Sequence, residues 1–119
     1  MNLKKQLKNG RKDFKVFDTD TNSGADFEGQ DLANIEAQYC DFSYASFRDC
    51  CLFSANFQGS IFDQTDFSGA DLRGVNFVNC EFRSCFFNDV RLDDNTDFGH
   101  LNIRPHVLHG LEPYDPENE

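Results

Sequence analysis

The chain has 119 residues and a net charge of −10, and 39% of its residues are hydrophobic. This length suits one domain. No apolar run approaches the ~20 residues that a membrane span needs, and the N-terminus Met-Asn-Leu-Lys-Lys lacks the apolar core of a signal peptide. These features argue against a membrane protein or a secreted one and predict a cytoplasmic location.

Residues 1–24 are expected to form a cationic N-terminal cap. Residues 1–15 carry six lysines and arginines against one aspartate. A short helix over residues 3–9 can end at Gly10, because glycine commonly follows the last turn of a helix. This segment would close the start of the repeat that follows it.

A five-residue repeat runs from residue 25 to residue 94. Every fifth residue from Phe27 to Leu92 is Leu, Phe or, once, Ala, and the residue two places before it is mostly small. A fixed short period is typical of a solenoid, in which each unit buries its apolar side chains only against neighbouring units. The period fits neither an α-helix nor a strand. It predicts short extended pieces with two inward residues, separated by corners.

Comparison of every twentieth residue predicts a four-sided coil. Columns of one residue type then appear: Phe27, Phe47, Phe67 and Phe87; Leu32, Leu52, Leu72 and Leu92; and Phe42, Phe62 and Phe82. Identical side chains are expected where strands stack at about 4.8 Å. The predicted fold class is all-β, with about three and a half coils.

The second residue of many units is Asp or Asn. The clearest stretches are Ala25-Asp26-Phe27, Ala55-Asn56-Phe57, Thr65-Asp66-Phe67, Ala70-Asp71-Leu72 and Val75-Asn76-Phe77. Over roughly residues 25–94 the chain resembles the pentapeptide-repeat family, whose pattern is A(D/N)LXX. The resemblance implies a right-handed quadrilateral β-helix with short N- and C-terminal caps. Because the functions of that family vary, the fold alone says little about activity.

The five cysteines are an odd number: Cys40, Cys50, Cys51, Cys80 and Cys85. All but Cys51 fall at the inward small position, and their spacing follows the repeat rather than the C-x₂-C pairs of zinc sites. They predict reduced, packed thiols in a cytoplasmic protein.

Residues 95–111 are expected to form a C-terminal cap, and residues 112–119 a disordered acidic tail. The register fails at Asp97, and the apolar residues beyond it can cover the end of the core. Alternatively, the segment from Leu101 to Leu111 can pair with a second chain by two-fold symmetry and form a homodimer. All three histidines lie in this segment: His100, His106 and His109. No Cys or Asp completes a metal cluster with them, so neither a metal nor a cofactor is expected.

No pattern in the sequence indicates catalysis. We find no nucleophile elbow, no phosphate-binding glycine loop and no paired-carboxylate cleft, and the convex walls of a solenoid offer no pocket for a substrate. Four glycines stand at the last position of their units, where a tight corner favours a small residue: Gly29, Gly59, Gly69 and Gly74. We therefore expect a non-enzymatic protein without catalytic residues.

Negative charge is concentrated on two adjoining walls of the predicted coil. The first acidic wall (units 25–29, 45–49, 65–69 and 85–89) carries Asp26, Glu28, Asp49, Asp66 and Asp89 against Arg48. The second acidic wall (units 40–44, 60–64 and 80–84) carries Asp41, Asp63 and Glu81 against Arg83. The neutral wall (units 35–39, 55–59 and 75–79) carries only Glu36. The eight acids of the two acidic walls are the candidate partner-binding residues.

The family resemblance suggests a role for this charge, because several members, notably the quinolone-resistance group, look like B-form DNA and bind DNA gyrase in its place. Three and a half coils rise roughly 17 Å, and B-DNA of that length carries about 10 charges. The eleven acids and four arginines of residues 25–92 give −7. The charge is of the same order, so the sequence supports a non-enzymatic acidic DNA mimic.

The expected partner is a DNA-binding protein, which the mimic would inhibit or protect. Candidate targets are DNA gyrase, another topoisomerase, or a phage-defence complex such as a restriction or CRISPR effector. Repulsion between carboxylates and phosphates argues against direct binding of nucleic acid. The alternative is a structural scaffold or protein-interaction module without DNA mimicry, in which the charge only keeps a narrow solenoid soluble.

Overall fold

The computed structural model describes residues 15–16, 23–99 and 108–109. They contain six short strands: β1 (Lys15–Val16), β2 (Glu36–Ala37), β3 (Ile61–Asp63), β4 (Glu81–Arg83), β5 (Cys85–Phe86) and β6 (Leu108–His109). The strands pair in parallel as β1–β2, β3–β4 and β5–β6. Isolated parallel bridges connect the units between them.

Within the repeat, the pairing advances by twenty residues from coil to coil, as the sequence predicted. Asp26 bridges to Ser46, Ser46 to Asp66, and Asp66 to Phe86. Backbone bonds repeat in the same register: the Phe27 N–H donates to the Ser46 carbonyl at 2.8 Å, and the Phe47 N–H to the Asp66 carbonyl at 2.7 Å. Twenty residues are four repeat units, so the chain forms a parallel β-helix whose coils stack directly on one another.

The stacking extends beyond the predicted range of residues 25–94 at both ends. There, paired residues are separated by more than twenty positions in the chain. Lys15 pairs with Glu36 in β1–β2, and Asn76 bridges to Asp97; each step is one residue longer than a regular coil. At the C-terminal end Cys85 pairs with Leu108. Most of the predicted N-terminal cap and C-terminal cap, the acidic tail and the predicted dimer segment lie outside the described residues.

Phenylalanine columns fill the core. Phe27, Phe47, Phe67 and Phe87 stack with ring centroids 5.0, 5.2 and 5.1 Å apart, and all four are completely buried. Phe42, Phe62 and Phe82 form a second stack, at 5.6 and 5.3 Å. Rings of adjacent columns meet edge to face, as between Phe42 and Phe47 at 5.3 Å. Offset-stacked and edge-to-face pairs are the preferred arrangements of aromatic rings.

The core departs from the prediction at its C-terminal end. Leu92, predicted as the last inward leucine, is 40% exposed, because the bridge from Asp71 to Arg91 is the last one on its wall among the described residues. Phe98 instead continues a column, since its ring stacks on Phe77 at 5.1 Å.

The first residue of a unit is inward and mostly small, and several of these residues are also hydrogen-bond donors. The Cys50, Cys80 and Cys85 thiols donate to the carbonyls of Phe27, Phe57 and Phe62, at 2.8, 3.0 and 2.9 Å. At the same position, the Ser60 and Thr65 hydroxyls donate to the carbonyls of Ala37 and Phe42, at 2.9 and 2.8 Å. All five cysteines are free, and Cys40, Cys50 and Cys85 are buried. Buried polar groups are thereby satisfied by the backbone of the preceding coil.

The corners require a left-handed backbone at the last residue of each unit from 25–29 to 85–89. Gly59 and Gly69 have φ angles of 75° and 77° there, and Tyr39 has 56°. Glycine adopts this region without the steric cost that a side chain adds. The predicted role of the last-position glycines is therefore confirmed. The corner closes when a third-position carbonyl accepts the N–H three residues later, as from Cys50 to Phe47 at 3.1 Å.

We expect Gly59→Ala to lower the free energy of unfolding by about 1–2 kcal/mol, the usual cost of an alanine in a left-handed backbone, plus a contact cost. A Cβ at Gly59 would lie 2.5 Å from the Tyr39 ring, which must then move. Gly29→Ala is the matched control: its φ is 74°, but nothing lies within 4 Å of its Cβ. Urea titrations should show the larger loss for Gly59→Ala, whereas equal losses would contradict the Tyr39 contact.

Candidate acidic interface

The regular register aligns the units of each wall. On the first acidic wall, Asp26 and Asp66 lie in one bridged column with Ser46 between them. On the second, Asp41 bridges to Ile61, and Ile61 pairs with Glu81 in β3–β4. The structure therefore brings the predicted acids together on walls made by stacked units.

The aspartates at the second position of a unit also stabilise the turn that follows. Carboxylate oxygens of Asp26, Asp41 and Asp66 accept the N–H groups of Glu28, Ser43 and Ser68, each at 2.9 Å. Side-chain carbonyls do the same at other units, as Asn76 accepts the Val78 N–H at 2.9 Å. The sequence analysis missed this role, although the repeated Asp or Asn at the second position was its signal. Part of the acidity thus belongs to turn chemistry.

Arg48 joins three coils of the first acidic wall. Its Nε lies 3.3 Å from Glu28 Oε1, and its Nη1 donates to Asp66 Oδ2 at 3.0 Å. Partial burial would raise the pKa of Asp66, but bonds from Ser68 and Arg48 outweigh it, so the pKa lies below its usual value. Glu28 and Asp66 are therefore partly neutralised, and Asp49 and Asp89 contribute more of the exposed charge.

Asp49 and Asp89 lie at the corners of the first acidic wall and are exposed. Their φ angles are 57° and 59°, a conformation that Asp and Asn tolerate better than most residues. Because neither carboxylate has a role in a second-position turn, their charge can be removed by Asn without loss of a turn bond.

Asp63, on the second acidic wall, has a different environment. Its Oδ1 is buried and has no hydrogen-bond partner. Asp63 lines an open cavity of about 450 Å³, which is formed mainly by residues of β3 and β4. The described lining residues are Ile61, Phe62, Asp63, Cys80, Glu81, Phe82 and Arg83. Glu81 itself is exposed.

Units outside the two acidic walls also form contacts within the chain. On the neutral wall, Glu36 Oε2 accepts bonds from Gln38 at 2.8 Å and Asn56 at 3.1 Å. On the fourth wall (units 30–34, 50–54, 70–74 and 90–94), Arg73 forms two bonds to Asp71, at 2.9 and 2.7 Å. The Arg73 guanidinium also lies over the exposed Phe53 ring, 5.4 Å from its centroid. The sequence analysis did not predict these pairs.

Two kinds of site are not found among the residues that the structure describes. No group of three or more His, Cys, Asp or Glu residues there is arranged to hold a metal ion. No helix in the same part of the chain is long and apolar enough to span a membrane. Of the histidines, only the backbone of His109 in β6 is described.

Residues 23–59 and 50–89 match a family model described as pentapeptide repeats, in eight copies. Together they cover more than half of the chain. The chain belongs to the pentapeptide-repeat family. Its fold is accordingly a right-handed β-helix solenoid, and pentapeptide-repeat proteins are generally non-enzymatic protein-interaction modules.

Solved structures of other family members share this fold. A pentapeptide repeat protein from Nostoc PCC 7120 has a TM-score of 0.70 and 21% identity, and the match covers 89% of this chain and 90% of that protein. A pentapeptide repeat protein from the thylakoid lumen of Arabidopsis thaliana has a TM-score of 0.52 and 24% identity, over 83% and 70% of the two chains. No curated protein matches the sequence. At these identities the likeness concerns the fold alone.

Proposed function

We propose that this protein is a non-enzymatic acidic mimic of duplex DNA, which binds a DNA-binding protein and inhibits or protects it. The observation that carries the proposal is the unequal placement of charge. On the two adjoining acidic walls eight acids face two arginines, a net charge of −6. The fourth wall carries Asp31, Asp71, Asp93 and Asp94 against Arg73 and Arg91, a net charge of −2. Glu36, the one acid of units 35–39, 55–59 and 75–79, is bonded to two amides. A uniformly solubilising surface has no reason to be one-sided.

The shape of the charged surface supports the same proposal. We take the cross-section to be quadrilateral, with about three and a half coils between residues 25 and 94. Backbone bonds hold these coils in a fixed register, so the carboxylates are presented on a rigid rod whose coils rise by about 4.8 Å each. A rigid row of negative charge is complementary to a basic cleft and steers association with it. DNA gyrase, another topoisomerase and a phage-defence nuclease are candidate cytoplasmic targets with such clefts.

A second candidate function is a scaffold or interaction module without mimicry. It is favoured by the structural roles of Asp26, Asp41 and Asp66, whose carboxylates bond to the turns. In that case the second-position acids are retained for the fold, and their outward charge is secondary. The two functions differ in what they predict for corner acids such as Asp49 and Asp89.

We expect the double substitution Asp49→Asn and Asp89→Asn to weaken partner binding severalfold at low salt and to reduce its salt dependence, because exposed charges act through screened fields. Asn occurs naturally at the same corner position, as Asn34 and Asn79, so the fold should be retained. The measurement is capture of partners from a bacterial lysate on the immobilised protein, at several salt concentrations.

Glu36→Gln is the matched control, since it removes one charge from the neutral wall. It should leave capture unchanged. If all variants retain the same partners equally, the charge only maintains solubility and the proposal is wrong.

A further inference from the structure

We propose that Tyr39 and Tyr44, together with Asp41 and Asp63, form a site that binds arginine side chains of a partner protein. The inference rests on the function proposed above and deepens it, because it names the chemical group that the second acidic wall recognises. Exposed tyrosines next to carboxylates distinguish this wall from a surface that acts by charge alone.

The two tyrosines stand at the two corners of the second acidic wall, within one coil. They are the last residues of consecutive units, so Asp41 lies between them in the chain. Their exposed fractions are 50% and 58%, the largest among the exposed large hydrophobic residues described. The Tyr44 N–H donates to the Asp63 carbonyl at 2.7 Å, which places Asp63 next to Tyr44 in the following coil.

The corner backbone gives no reason for a tyrosine at either position. Tyr39 and Tyr44 have φ angles of 56° and 61°, a left-handed conformation that is unfavourable for a bulky side chain. The other described corner residues are mostly Gly, Asn, Asp and Ser, which fit it better. The fold requires the left-handed backbone but not a tyrosine there, and residues that accept such strain are common at functional sites.

Contacts with the next coil hold both rings in place. The Tyr39 ring lies against Gly59, where a Cβ would come within 2.5 Å of it. The Tyr44 hydroxyl accepts a bond from Gln64 Nε2 at 3.4 Å. Both rings are held in place while about half of each residue stays exposed. Stacking of a ligand on them therefore costs little side-chain entropy.

The carboxylates beside the rings have unused hydrogen-bonding capacity. Asp41 uses Oδ1 for the Ser43 N–H, at 2.9 Å. Asp63 is partly exposed, and its buried Oδ1 has no hydrogen-bond partner, so the proposed site uses the exposed part of this carboxylate. Guanidinium presents five donors in a planar fork and also stacks on aromatic faces, whereas an ammonium is a compact point charge. Arginine is therefore the side chain that fits both features.

The fourth wall contains an example of this arrangement within the same chain. Arg73 bonds to Asp71 through two nitrogens and at the same time lies over the exposed Phe53 ring. One guanidinium thus engages a carboxylate and an aromatic ring on the outer surface of the coil. On the second acidic wall the ring and the carboxylates are present, and a partner supplies the guanidinium.

The test compares nona-arginine with nona-lysine, two peptides of equal length and charge, by isothermal titration. The unmodified protein should bind nona-arginine more tightly. In the double variant Tyr39→Asn/Tyr44→Asn this preference should fall by about two- to fivefold per ring, the size of a cation–π contact at an exposed site. Its affinity for nona-lysine should change much less, because the carboxylates remain.

Two controls separate binding from folding. Asn occupies the same left-handed position at Asn34 and Asn79, so the double variant should melt no lower than the unmodified protein. Tyr39→Phe/Tyr44→Phe keeps both rings and should keep the preference for arginine. An unmodified protein that does not distinguish the peptides, or an Asn variant that still prefers arginine, overturns the inference. The Asp49→Asn/Asp89→Asn capture experiment tests DNA mimicry separately, so the two can fail independently.

Discussion

Replacing Phe47 with alanine is expected to lower the free energy of unfolding by about 3–5 kcal/mol, the usual loss for a buried phenylalanine. Phe47 is completely buried, and its ring stacks between Phe27 and Phe67 at 5.0 and 5.2 Å. It also meets Phe42 and Phe57 edge to face. The substitution removes contacts in three coils at once. It also leaves a cavity that cannot close, because backbone hydrogen bonds hold the coils at a fixed spacing.

Phe53→Ala provides the matched control for this prediction. Phe53 is 42% exposed and its main partner is the Arg73 guanidinium, so its loss should be limited to about 1 kcal/mol. Denaturant titrations of both variants measure the difference. Equal losses would contradict the inward and outward assignment of these residues, and with it the twenty-residue coil.

The second large effect is alkaline destabilisation by the buried thiols. Burial raises the pKa of Cys50 and Cys80 to about 12 and that of Cys85 to about 11, whereas a thiol in the unfolded chain titrates near pH 8.5. Stability from these thiols is complete below about pH 8.5. As the pH rises above that value, the unfolded chain loses protons that the folded chain keeps. Each thiol should then lower the free energy of unfolding by about 1.4 kcal/mol per pH unit. The three thiols together should lower it by about 4 kcal/mol per pH unit.

The chain offers its own control for the thiols. Ser60 and Thr65 stand at the same unit position and donate the same bond to the preceding coil. The triple variant Cys50→Ser/Cys80→Ser/Cys85→Ser should therefore fold and should lose most of the decline between pH 9 and pH 11. Urea titrations across that range provide the measurement. An identical decline in both proteins would assign it to other groups.

The periodicity predicted the core and the corners, because both follow from a repeat that the chain keeps for several coils. Phe47 and Gly59 could be placed from their unit positions alone. The ends were harder to predict. Single-residue insertions, as between Asn76 and Asp97, shift the pairing without an apolar signal. Leu92 is 40% exposed, and the bridge from Asp71 to Arg91 is the last on its wall among the described residues.

The acidic surface was predicted in outline, but not in its contacts. The register places Glu28 beside Arg48, twenty residues on, so this pair could have been predicted from the sequence. The bond from Arg48 to Asp66 depends on the reach of a long side chain. The unpartnered Oδ1 of Asp63 depends on local packing. Neither feature can be predicted from the repeat.

Competition with duplex DNA tests the central claim most directly. Proteins captured from a bacterial lysate on the immobilised chain are challenged with increasing amounts of a short duplex. DNA mimicry predicts that a captured protein is released by the duplex and that the same protein, once purified, binds that duplex itself. A captured partner that remains bound at saturating duplex would contradict the account.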